Sequence, residues 1–349
     1  MSTARPTSAR VQVLLRQSRR MNSDLIIDGR LNRVRDLLWA GSDDRTLRRD
    51  AERGRVTKVL AGVYIATELW RALSDDERYL LRIAAVAGTR RGQVVFSHHS
   101  AAALLGYPVI GAWPVQVHTV VGSRSGLRST PAIARHAVDV REDELVEVDG
   151  YVLTSPLRTA RDIALVAPLA GAVTLLDRAL ASPPARAPHL PPVHREALLE
   201  SLLRLGPARG TRRARFAAEF ADAQAASPGE SLSRVQLHRL RMPKPQLQVS
   251  VPKPTGGHWD VDFGWEEFAL FGEFDGYFKY HREDMTRGQA PEDIVWAEKK
   301  REDAIRNTTK RSMTRWTWDI ALSLPAFRRL LLEAGLRPTS ARDTFPGRR

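Results

Sequence analysis

The stretch HWDVDFGWEEFALFGEFDGYFKY, residues 258–280, decides how the second half of this chain is read. Taken as strand, turn, strand, it places Trp259, Val261, Phe263 and Trp265 on one side of the first strand and Asp260, Asp262 and Gly264 on the other. On the second strand, Phe268, Leu270 and Phe274 share a side, and Ala269, Phe271, Glu273 and Asp275 share the opposite one. A two-residue turn at Glu267-Phe268 sets a register in which Asp262 faces Glu273 and Asp260 faces Asp275. Like charges directly across two strands repel. Such a face needs either a divalent cation or neighbouring Arg and Lys.

Two carboxylates that hold a hard cation beside a basic group suit phosphodiester cleavage. The metal polarises the phosphate and lowers the pKa of its bound water, and the basic group steadies the developing charge. Asp262, Glu273 and Asp275 are the expected ligands of Mg²⁺ or Mn²⁺. Lys279, on the same strand phase as Asp275, is the expected basic partner. Just upstream, Ser227, Pro228 and Glu230 spell a helix start of the capping-box kind, in which Glu230 has a structural role. QLQVSV then reads as a strand. Downstream, EDIVWAEKKREDAIRNTTK reads as a basic helix before a strand near MTRWTW, with Lys299, Arg301 and Arg306 in reach of a phosphate.

The composition sets the surroundings. The 349 residues carry 54 Lys and Arg against 40 Asp and Glu, a formal charge of +14, which favours a polyanionic partner and salt-dependent binding. Only seven of the 54 are Lys, and an Arg skew of that size also follows from the codon usage of a GC-rich genome. The absence of Cys excludes disulfides, thiol catalysis and thiolate zinc sites, leaving oxygen or imidazole for any metal. No apolar run approaches a membrane span, and the first residues lack the apolar core of a secretory signal, so a cytoplasmic protein is expected, without membrane partners.

Residues 1–35 read as a basic N-terminal arm. In 36–95, SDDRTLRRDAERGRVTKVLAGVYIA predicts a helix capped by Ser42 and ended by Gly54, then two short strands around Ala61-Gly62. Helix, turn and hairpin are the last parts of a winged helix. Arg45, Arg48 and Arg49 would lie on double-stranded DNA and Lys58 would sit in the wing. Residues 75–108 read as helical, with SHHSAAALLGYP as a second helix capped by Ser97. The adjacent His98 and His99 cannot share a helix face and read as structural. Residues 96–181 form an α+β module, with strands in VQVHTVV, AIARHAV and YVLTSPL and helical spacing from Ala160 to Leu180. Five Pro between 182 and 194 mark a stiff linker or exposed loop within a linker-and-helix segment, 182–225. Residues 226–330 form the C-terminal domain and 331–349 a tail.

The order ASPGESLSR, PKPQLQVSV, VDFGW, GEFDGYFK, EKKREDAIR, TRWTW resembles the C-terminal domain of actinobacterial AbiEi-type antitoxin and regulator proteins. In these that domain is of the PD-(D/E)xK nuclease superfamily, near the very-short-patch-repair endonucleases. LAGVYIA, SHHSAAALLGYP and TSPLRTARDIA are similar to the front of the same family. The resemblance covers roughly residues 40–325. It implies an N-terminal winged helix, a middle α+β module and a restriction-endonuclease-like α/β sandwich, with a cognate toxin as a further partner. It implies a helix carrying Glu230 and a sheet carrying Asp262 and Glu273. On that footing Glu230 and Asp275 assist a metal-dependent DNA endonuclease or nickase. The alternative is an antitoxin or repressor that keeps the fold and lacks the chemistry. Two positions depart from the family pattern: the usual Glu-x-Lys reads Glu273-Phe274-Asp275, and Lys279 stands where relatives carry His.

Overall fold

The computed structural model describes residues 39–40, 49–90, 92–276 and 291–339. These form two compact units. One comprises residues 1–107, 111–162 and 184–191, the other residues 108–110, 163–183 and 192–349. The fold is mixed α and β throughout.

The first unit opens with a three-stranded sheet in the order β1-β3-β2, from β1 (Trp39–Ala40), β2 (Val56–Leu60) and β3 (Val63–Ala66). The expected helix-turn-hairpin is present from its last turn on: residues 49–52 are helical and Gly54 follows with φ 70°. Gly62 turns the hairpin with φ 77°, a value that glycine adopts without the cost a Cβ would bring. Helices α1 (Thr67–Ala72) and α2 (Asp75–Thr89) come next. Ser74 and Glu77 make a reciprocal capping box at the start of α2, whose inner face buries Tyr79, Leu80, Ile83 and Ala84. The two helices read over 75–108 are both present, the second being α3 (His98–Leu105), and a short strand not read from the sequence, β4 (Val95–Phe96), lies between them. Phe96 enters a five-stranded sheet there, a long-range pairing that local periodicity does not register.

That sheet has the order β6-β5-β4-β8-β7, with β5 (Val117–Val121), β6 (Ile133–Ala137), β7 (Leu145–Val148) and β8 (Tyr151–Thr154). The three strands read from the sequence are present; β4, of two residues, is too short to show an alternation, and β7, as long as β8, is not among the three. Ser97 precedes α3, but its hydroxyl does not cap the helix; it meets His98 Nδ1 at 3.1 Å. The Pro-rich stretch 182–194 is not a simple exposed linker. Arg186 N donates to Leu105 O, Ala187 is fully buried, and Gly106 lies close against Arg186, whose Cγ would be 3.0 Å from a Cβ there.

Residues 156–181 form two helices, α4 (Pro156–Val166) and α5 (Leu169–Ala181), because Pro168 cannot continue the first. The unit boundary falls inside α4. In the second unit, α6 (Arg195–Leu203) and α7 (Thr211–Phe220) precede α8 (Pro228–Arg239). A four-stranded sheet follows in the order β12-β11-β10-β9, from β9 (Gln246–Pro252), β10 (His258–Trp265), β11 (Leu270–Phe274) and β12 (Ser312–Trp316). β9, β10 and β11 are antiparallel neighbours; β11 and β12 are parallel, joined through α9 (Pro291–Thr309). Helices α10 (Trp318–Leu322) and α11 (Leu324–Glu333) end the unit.

Two layers of side chains hold this sheet. On one face Phe263 stacks with Trp265 and Trp316, and Trp316 packs on Phe327 of α11. Trp316 also donates its indole N–H to Ser233 of α8 at 2.8 Å. On the other face Val251, Val261, Phe271 and Met313 pack with Ile305 of α9. Helices therefore cover both faces. Gly229 lets α8 approach β11 closely, since a Cβ there would lie 1.9 Å from the Phe274 ring. Gly229→Ala is expected to lower stability by about 1–3 kcal/mol, the usual penalty of overpacking, read as a lower urea midpoint at unchanged slope.

Candidate functional site

The register expected for β10 and β11 is the one observed: Phe263 pairs with Gly272, Gly264 with Phe271 and Trp265 with Leu270. The turn differs. Glu266–Phe268 form a 3₁₀ turn and Ala269 takes φ 44°, so the loop is two residues longer yet centred on the same point.

The strict alternation expected along β10 does not hold. Val261 packs with Phe271 and Met313, on the face opposite Phe263. The break lies where Gln248 of β9 takes φ 48°, a left-handed conformation that costs energy for a residue with a side chain. Asp262 and Gln248 stand opposite each other in the β9–β10 register, and this pair is missing from the ladder on either side of which pairing continues. Their side chains are released toward one site. Asp262 Oδ2 accepts from Phe274 N at 2.8 Å, and Gln248 Nε2 donates to Glu230 Oε2 at 2.9 Å.

Glu230 reaches the site from the first turn of α8. Ser227 Oγ accepts from Glu230 N at 3.2 Å, as a cap should. The Glu230 carboxylate goes one residue further back than a capping box requires, accepting from Ala226 N at 2.9 Å. It is buried, and burial raises its pKa although three hydrogen bonds oppose the shift.

Asp262 is the most perturbed acid in the site. Burial comes first, then the negative charge of Glu230, with Glu273 adding to it. Together they push its pKa from 3.8 to about 7. Its other carboxylate oxygen has no partner among the described residues. Glu273 is compensated differently. Its Oε1 pairs with Arg301 Nη1 of α9 and its Oε2 with Arg315 Nη2 of β12, both at 2.8 Å. Arg315 also lies 3.6 Å from Glu302, which pairs with Arg306. Arg301 further donates to Asp260 O at 2.8 Å and ties α9 to β10.

The four acids do not share one face, a correction to the sequence reading. Asp260 is exposed, its carboxylate 3.6 Å from His258, in the part of β10 whose described partner is β9 alone. Asp275 N bonds Trp316 O, which extends the β11–β12 pairing by one step. Lys279 lies outside the described residues, as do Arg45 and Arg48. Arg49 is at the start of the described helical turn. Lys58 lies in β2 opposite Tyr64, away from the hairpin tip. Of the basic residues expected near the site, Arg301 is there, Lys299 is exposed, and Arg306 pairs with Glu302. Gln248 and Arg315 were not anticipated, since a Gln or Arg at one position of a strand carries no signal of its own.

As a divalent-cation site the donor set is Asp262 and Glu230, two neighbouring carboxylates of raised pKa. Glu273, with a guanidinium on each oxygen, joins such a set only by releasing Arg301 or Arg315.

No family model matches the chain. It is 28% identical over 249 residues to two proteins of Mycobacterium tuberculosis, "Uncharacterized protein MT2308" and "Uncharacterized protein Rv2248". Each alignment covers 70% of this chain and 84% of the relative. Among solved structures it is similar to the RV2827C protein of Mycobacterium tuberculosis, with a TM-score of 0.32 and 17% identity over 61% of this chain and 78% of that one. Among the described residues no helix is long and apolar enough to cross a membrane.

The two acids should respond oppositely to neutralisation. An acid whose pKa rises on folding binds its proton more tightly in the folded state. Asp262 should therefore make stability fall as pH rises from about 4 to about 7. The loss is at most roughly 4 kcal/mol for a shift of this size. Asp262→Asn should flatten that slope and raise the melting temperature at pH 8. Glu273→Gln should lower the melting temperature, because two guanidinium groups lose their charged partner.

Proposed function

We propose that the chain binds duplex DNA and that its second unit is a metal-dependent phosphodiester-cleaving domain of the nuclease kind. One observation carries this reading. Glu230, Asp262 and Glu273 converge from α8, β10 and β11 on one site, with two guanidinium groups beside them. Acids forced together at a cost in stability are characteristic of functional sites.

Asp262 and Glu230 would hold a Mg²⁺ or Mn²⁺ ion, which supplies a polarised phosphate and an activated water when bound. The chain's own part is charge placement. Arg301 and Arg315 offer forked donors that suit a phosphate as well as a carboxylate. A phosphodiester entering the site can take one guanidinium from Glu273 and free an oxygen of that residue. The first unit supplies further DNA contact in a winged-helix manner through Arg45, Arg48, Arg49 and the hairpin with Lys58, in keeping with the net charge of +14.

The double pairing of Glu273 favours a second reading, in which the acid site is a closed ionic network and the protein is a non-catalytic antitoxin or repressor. Incubation of the full chain with supercoiled plasmid separates the two. With Mg²⁺ or Mn²⁺ the parent should nick the plasmid; EDTA, Asp262→Asn and Glu230→Gln should each abolish this while DNA binding persists. Binding without nicking in either metal would decide for the second reading. DNA affinity should fall steeply between low and moderate salt. Replacing Arg45, Arg48 and Arg49 together by Ala should weaken it, as measured by fluorescence anisotropy.

A further inference from the structure

Four of the nine His residues of the chain meet in the first unit, far apart in sequence. His98 and His99 begin α3, His118 lies on β5 and His136 on β6. The parallel pairing of β5 and β6, with His118 opposite Ala134 and His136 opposite Val120, brings the two strand imidazoles together. His118 Nδ1 lies 3.0 Å from His136 Nε2. The His98 ring lies 3.6 Å from that of His136, centroid to centroid. One ring nitrogen from each of His98, His118 and His136 falls within 4.8 Å of the others. The nitrogens of a tetrahedral zinc site, at about 2.0–2.1 Å from the ion, are about 3.3 Å apart.

We propose that His98, His118 and His136 form a binding site for a borderline divalent metal ion, zinc foremost. Imidazole nitrogen is the donor such ions prefer, and three of them leave a fourth position open. The ligands would tie the start of α3 to two strands of the sheet.

Further observations support the site. The facing nitrogens of His118 and His136 form a hydrogen bond only if one of them carries a proton, and a metal ion can take that proton's place. His98 Nδ1 is engaged by Ser97 Oγ, which orients the ring and leaves Nε2 for the ion, as outer contacts do at metal sites. His99 Nδ1 is buried without a hydrogen-bond partner beside the same cluster, its ring 5.1 Å from that of His118. His98 itself is held at φ 48°, a conformation a residue with a side chain pays for. Arg158, whose charge acts on His98, is itself paired with Glu144 and Asp162, each at 2.9 Å. Binding requires the stacked His98 and His136 rings to tilt apart, because the ion must lie near the plane of each.

The test uses the full chain after dialysis against EDTA. Titration with ZnCl₂ in a calorimeter should show tight uptake that His118→Gln and His136→Gln each weaken. The loss should exceed the roughly 10- to 100-fold effect that outer contacts alone produce at metal sites. His258→Gln, an exposed His elsewhere in the chain, should bind as the parent does. Co²⁺ added to the parent should give the visible d–d bands of a tetrahedral nitrogen site, a readout that needs no substitution. Equal Zn²⁺ affinity in parent and both variants, with no tetrahedral Co²⁺ spectrum, would overturn the proposal and leave a packed, proton-sharing imidazole cluster.

Discussion

The second unit depends on a buried ion pair. Asp177 of α5 accepts from Arg234 of α8 at 2.7 Å, from Ser231 Oγ at 2.7 Å and from Asp222 N at 2.7 Å. Arg234 in turn donates to Phe220 O and lies over the Phe220 ring. Both charged groups are almost wholly removed from water, and burial raises the Asp177 pKa against the pull of Arg234. Such a pair adds little net stability over an apolar substitute, but losing one partner is severe. Its consequence here is positional. It clamps α8 to α5 and to the segment before Ser227, and α8 is the helix whose first turn delivers Glu230.

From that fixed helix the site follows by a second constraint, the left-handed Gln248. A regular β9 would keep Asp262 in the ladder and its side chain on the alternating face. Instead the irregularity turns Gln248 to Glu230 and Asp262 to Phe274 N. The charges then sort into two classes. Glu273 has guanidinium partners on both oxygens, while Glu230 and Asp262 have neutral donors and raised pKa values. The repulsion evident in the acid-rich sequence is thus relieved by Arg at one acid and left standing at the other two. The proposed cation belongs at those two.

The imidazole cluster of the first unit shows the same dependence on long-range geometry. His98 and His99 are adjacent, and adjacency on a helix argues against a shared ligand. The argument is sound for one helix, but the partners are His118 and His136, 20 and 38 residues beyond His98 on two strands. Only the β5–β6 register and the docking of α3 bring the rings together.

The β10–β11 register, the β2–β3 hairpin, the helix start at Ser227 and the β11-helix-β12 order were all legible in the sequence, because each rests on local signals. Period-two alternation, Gly at left-handed turns, Ser and Pro at a helix start and uniform helical periodicity act over a few residues and need no partner to be recognised. Asp262, Glu273 and Glu230 could be named as a set on the same footing, from like charges placed across a turn and from motif order. Tertiary structure alone decided which acids meet, which are neutralised and by whom. Asp260 leaves the group because the described partner of that part of β10 is β9, and Arg301 and Arg315 enter it from α9 and β12. The physical reason is that charge compensation and desolvation depend on distances of a few ångströms between segments tens of residues apart. A sequence states which groups a chain can bring to a site; packing sets which of them arrive.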